Sequence, residues 1–196
     1  MLDDEDSYKC LETNPTASTT KNVNKFVNNL LETSKITKEA SFRLKTSDVT
    51  TLRLYGLPKL HKENIPLWPI VSFTDSPAYG LAKDLSALLK PLIGKSKCHV
   101  RNSSDFASSI TQEILQTDEI ISSFDVVSLF TYVPIQFALN VAKQRLQSDL
   151  ELSHRTSLST TDLIKGLEIC LNSTNFYFRG KHYKQVFGTA VGTPYH

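Results

Sequence analysis

Ile120-Ile121-Ser122-Ser123-Phe124-Asp125-Val126-Val127 reads as a β-strand with a carboxylate inside it, followed by Ser128-Leu129-Phe130. Apolar β-branched and aromatic residues fill the run, the composition of a pleated, half-buried surface. An ionised carboxylate in such a strand is costly unless it lies at an edge, is paired or binds a metal. Taken alone, an aspartate placed like Asp125 is more often a strand-end or turn residue than a catalyst. Its surroundings decide which.

Outward from this strand the chain is mostly helical. Val23, Phe26, Val27, Leu30 and Leu31 recur at helical spacing and predict an amphipathic helix over about 20–33, after a loose polar lead-in at 1–19. A short helix follows within 37–45. Residues near Leu52 and Leu54 and the stretch Leu67 to Phe73 predict paired strands, with Pro69 placing the second near an edge or bulge. Ser76-Pro77 has the form of an N-cap followed by proline at the first helical position, and Gly94 that of a stop. Further helices are expected at about 103–115, from Pro134 and over 160–171. Asn175 to Arg179 and His182 to Val186 form a hairpin around Gly180-Lys181. Helices, a hairpin, helices, a strand, helices and a hairpin make an α+β protein, helix-rich with short antiparallel strands.

Composition narrows the class of function. Of 196 residues, 40% are hydrophobic and 21% charged, an ordinary globular balance. No uncharged apolar run approaches the ~20 residues that span a bilayer, and the acidic start at Asp3 to Asp6 is unlike a signal peptide. A nuclear or cytoplasmic protein that does not engage membranes is expected. Cys10, Cys98 and Cys170 suit burial as small apolar residues better than a disulfide framework or zinc site. The net charge is only +2, but eight basic residues face three acidic ones between Arg53 and Arg101. A local excess of five positive charges is what phosphate-backbone binding needs, and it is equally the signature of a solvated basic face.

Several blocks together resemble the reverse transcriptases of Penelope-like retroelements. Leu54-Tyr55-Gly56-Leu57-Pro58-Lys59-Leu60-His61-Lys62 and Pro66 to Ser72 are similar to the family's paired fingers motifs. Ser76 to Lys83 with Leu88 to Leu92, then His99 to Ser103 and Ser123 to Pro134, resemble the blocks that follow, in order. Phe176 to Tyr183 and Gly188-Thr189-Ala190-Val191-Gly192-Thr193-Pro194 are similar to the template-side palm motif. The likeness runs over nearly the whole chain and is most specific from residue 54 onward.

The resemblance implies a right-hand polymerase, with a fingers-like region at 20–117 and a partial palm at 118–196. The expected activity is RNA-directed DNA synthesis on an RNA template from a DNA primer, using deoxynucleoside triphosphates; no oligomeric state is implied. Asp125 becomes the expected catalytic residue and, with the Val126 carbonyl, a ligand of two magnesium ions. Phe130, five residues beyond Asp125, becomes the aromatic beneath the nucleotide sugar. Lys59 is expected at the triphosphate, where a compact ammonium clamps phosphate. Lys62, Gly188 and Gly192 are expected at the template and primer, where glycine lets backbone approach closely. Trp68 departs from the pattern, standing where relatives carry an arginine, and an indole does not replace a forked phosphate donor.

The family's second carboxylate motif, a Tyr-x-Asp-Asp-like turn, is expected beyond His196. Residues 1–196 are therefore expected to be inactive alone, with the 118–196 region less well packed than 20–117. Two other readings stay open: a non-catalytic nucleic-acid-binding remnant, and an unstable translated pseudogene product.

Overall fold

A computed structural model describes residues 7–58, 60, 63, 65, 67–96, 98–126 and 129–189. Along the chain come β1 (Tyr8–Leu11), α1 (Thr16–Glu32), α2 (Lys38–Leu44), β2 (Leu52–Pro58), β3 (Leu67–Ser72) and α3 (Tyr79–Leu89). Then follow α4 (Ser103–Ile110), α5 (Ile135–Gln147), α6 (Leu152–Arg155), α7 (Thr160–Leu171), β4 (Asn175–Phe178) and β5 (Lys181–Gln185). The architecture is α+β.

One five-stranded sheet organises it, in the order β1-β5-β4-β2-β3. β2 and β3 form an antiparallel hairpin in which Gly56 faces Pro69, and β3 is an edge strand, as Pro69 requires. β4 and β5 form a second hairpin. The two hairpins join through a parallel pairing of β2 with β4, with Leu52 opposite Phe176 and Arg53 opposite Tyr177. The chain on either side of residue 118 thus shares a single sheet.

Alternation sets the two faces of this sheet. Leu52, Leu54, Val71 and Phe176 point inward and are buried. Val23 and Val27 of α1, Leu81 and Leu85 of α3, and Leu163 and Leu167 of α7 complete the same core. Phe176 is fully buried, edge-on to Tyr8 at 5.9 Å and stacked on Tyr183 at 5.7 Å. Burying a phenylalanine contributes roughly 1.5–3 kcal/mol, so the junction of the hairpins is a stabilising centre. Helix packing is equally close at Gly80, where an added Cβ would lie 2.5 Å from the Arg43 carbonyl oxygen. Only glycine lets α3 approach the end of α2 this way.

Several expectations change. The polar lead-in contributes β1, whose Tyr8 seals the core opposite Gln185 of β5. α1 starts at Thr16, because the Asn14 side chain accepts its N–H at 2.9 Å and the hydroxyls of Thr19 and Thr20 return to backbone carbonyls. α3 starts at Tyr79 with Ala78 as its cap, since Ser76 and Pro77 lie in the turn closed by Tyr79 N–H on the Ser76 carbonyl. The 103–115 helix ends at Ile110, leaving Ile114 and Leu115 exposed. The second hairpin turns on Arg179-Gly180, both at positive φ (46° and 84°), one residue earlier than the sequence indicates. Cys170 is buried, whereas Cys10 and Cys98 are exposed.

Two corrections bear on the site. The stretch 119–126 is not a strand but irregular and exposed. β propensity is realised through cross-strand packing, and no strand lies beside this segment among the described residues. Second, 135–189 is not a loosely packed region: Leu139, Leu146, Leu163, Leu167, Cys170 and Phe176 are all core residues. The sheet they need is completed by β1 and β2. Among the described residues, no helix is long and apolar enough to cross a membrane.

Candidate catalytic and nucleic-acid site

Asp125 sits in the exposed segment after the turn at Thr117-Asp118. Gln116 and Glu119 close that turn, the Gln116 N–H donating to Glu119 Oε2 at 2.9 Å. From there Ile120, Ile121, Phe124 and Val126 all face solvent, Phe124 at 93% exposure. The carboxylate of Asp125 therefore keeps its water and needs no compensating charge. The desolvated aspartate that a buried strand implies is absent from this arrangement.

A 3-10 turn spans Leu129–Tyr132. The Phe130 carbonyl accepts the Thr189 backbone N–H at 2.6 Å. Tyr132 meets Phe187 edge-on, with ring centroids 6.5 Å apart. Gly188, between the two contact residues, has φ +73°, where L-residues with a side chain are strained. The segment beginning at Phe130 is thereby tied to the one around Gly188, both of them expected site residues. Lys59, Lys62 and Gly192 lie outside the described residues.

The described residues do not make a two-magnesium centre. Two ions ~3.5–4 Å apart need bridging carboxylates from more than one segment, and magnesium demands a near-octahedral oxygen shell. Asp125 and the Val126 carbonyl supply one carboxylate. Among the described residues, no three His, Cys, Asp or Glu side chains converge. Other acids are engaged structurally. Asp149 binds Arg155, whose guanidinium holds that carboxyl below the usual aspartate range. Asp162 pairs with Lys35 at 2.8 Å and forms a capping box with Ser159. Burial pushes the Asp162 carboxyl up, but Lys35 and the Ser159 hydroxyl and amide outweigh it, so the carboxyl lies low.

The basic excess counted along the sequence distributes unevenly. Arg101, just before α4, pairs with Asp105 in its first turn, whereas Arg53, on the outer face of the sheet, forms no ion pair among the described residues. Beside it lie Tyr177 and His182, rings 5.2 Å apart, which sequence reasoning missed as candidate site residues. Strand alternation within the hairpin gives their common face, but only the parallel β2–β4 register sets Arg53 beside them. No family model, curated protein or solved structure matches this chain.

Proposed function

We propose that the chain is a portion of an RNA-directed DNA polymerase of the Penelope-like class, with fingers at 20–117 and part of a palm at 118–196. Its partners are then an RNA template, a DNA primer and deoxynucleoside triphosphates. The observation that carries the reading is the Phe130–Thr189 tie: the two motif blocks taken as nucleotide-side and template-side are held together, though 59 residues separate them. Asp125 and the Val126 carbonyl would provide part of a magnesium shell; a second carboxylate segment is needed to complete it. Lys59 serves the triphosphate, and Lys62, Gly188 and Gly192 the template and primer. Residues 1–196 are inactive alone in this reading.

Reading the genomic DNA after the His196 codon tests the proposal. The expected result is coding sequence, intact or decayed, for a tyrosine followed by paired aspartates. An uninterrupted coding sequence with no such motif overturns it. A non-catalytic nucleic-acid-binding protein is the second reading, favoured by Arg53, without an ion-pair partner among the described residues, beside two aromatic rings.

A further inference from the structure

Strand register places one residue from each strand in a row across the sheet's outer face. The row runs Leu11, His182, Tyr177, Arg53 and Ser72, from β1 through β5, β4 and β2 to β3. Tyr177 is 41% exposed and His182 half-buried against it. The next row carries Lys9 opposite Lys184, both on the same outer face because Tyr8 and Tyr183 point inward. A depression of about 740 Å³ opens over this end of the sheet, lined by Asn14, Arg53, Ser72, Asp75, Tyr177 and His182 among others.

The chemistry of this face selects its occupant. Arg43, Arg101 and Arg155 are each matched to a carboxylate. Arg53, Lys9 and Lys184 have no ion-pair partner among the described residues, and Asp75 is the carboxylate lining the depression. Among the described residues, three cations therefore face one carboxylate around a tyrosine–histidine pair. An apolar protein helix fits poorly, since it would strip water from Arg53 and His182 without replacing their hydrogen bonds. Unstacked bases fit well: every base has a π-face for an aromatic ring, and the phosphates between bases meet the cations. Adjacent strands are ~4.8 Å apart, so Arg53 lies one strand from the ring that takes the base.

We propose that this outer face is a stacking platform for single-stranded nucleic acid, with a base on Tyr177, whose ring His182 buttresses at a 56° tilt, and flanking phosphates on Arg53, Lys184 and Lys9. It shares the kind of partner given for the polymerase reading but none of that reading's residues, so either can fail alone. A strand on this platform is held without sequence preference. A blunt duplex, its bases already stacked, binds more weakly.

Fluorescence anisotropy with labelled oligouridylate, oligoadenylate and a blunt duplex, on the full chain, tests the platform. Tyr177→Ala is expected to weaken both single strands about tenfold, while Tyr177→Phe keeps affinity close to wild type. Arg53→Ala is expected to make the salt dependence shallower by about 0.7 on a log–log plot. Wild-type affinity in Tyr177→Ala together with an unchanged slope in Arg53→Ala overturns the proposal. So does a duplex bound as tightly as the single strands, or no single-strand binding at all. Binding abolished by substituting Lys59 and Lys62, yet indifferent to Tyr177 and Arg53, overturns the platform and leaves the reverse-transcriptase reading standing.

Discussion

The Thr189 N–H donates to the Phe130 carbonyl oxygen at 2.6 Å, fastening the chain leaving the exposed Asp125 segment to the loop that follows β5. The contact depends on the left-handed backbone of Gly188. Replacing Gly188 with alanine should therefore destabilise the protein by about 1–2 kcal/mol. Gly188→Asn should cost less, because asparagine tolerates that conformation better. Urea unfolding of the two variants checks the ranking. Equal stability of the alanine variant and wild type would show that the loop is not held as described.

The polypeptide of residues 1–196 is expected to show no primer extension on an RNA template with magnesium or manganese. Asp125 is an exposed carboxylate, and the described residues hold no group of three potential metal ligands. The control is Asp125→Ala. Template-dependent incorporation above that control means that one carboxylate segment suffices, contrary to the two-metal requirement.

Lys59 and Lys62 give a separate electrostatic prediction. If both contact phosphates, replacing them with alanine should weaken primer–template binding and flatten its salt dependence. The slope should change by about one for each lost contact. Titrations at several salt concentrations measure this, and an unchanged slope removes both lysines from the interface.

Much of the fold is legible in the sequence where periodicity is strong and local. The stripe Val23, Phe26, Val27 and Leu30 specifies a helix from neighbours within a few residues. The β2–β3 hairpin is legible for the same reason. Long-range pairing is not. Nothing local in Tyr8 to Leu11 says that these residues will lie against β5, and nothing in Ile120 to Val126 says that they will find no strand. The same limit governs the site. Asp125 and Phe130 stand out as a spaced pair, but the Phe130–Thr189 tie and the row from Leu11 to Ser72 exist only after the sheet has formed.

Asp162 predicts a pH dependence. Its carboxyl is held below the ordinary aspartate range by Lys35 and Ser159 despite partial burial. A group whose folded pKa is depressed contributes stability above its unfolded value, and that contribution fades as pH falls through the folded one. The contribution is thus intact at neutral pH and declines from about pH 4 downward. Asp162→Asn should be less stable than wild type by about 1 kcal/mol at pH 7. The difference should shrink below pH 4. A difference constant from pH 7 to pH 3 would assign the effect to the cap's shape instead of its charge.

Hydrogen exchange should divide the chain by packing and not by sequence halves. Amides of 119–126 are exposed and irregular, so they should exchange near the unprotected rate. Amides of α7 and β4 belong to elements that carry Leu163, Leu167, Cys170 and Phe176 into the core. They should be protected as strongly as those of α3, whose Leu81 and Leu85 share that core. The junction of the two hairpins makes this a sharp test. Because β4 lies between β5 and β2, it cannot open without breaking both pairings, and its amides should report the global unfolding reaction. Fast exchange throughout 135–189 beside slow exchange in α3 would mean that the second hairpin and α7 are not docked. Protection across 119–126 would mean that the Asp125 segment is paired after all, the strand its composition suggests.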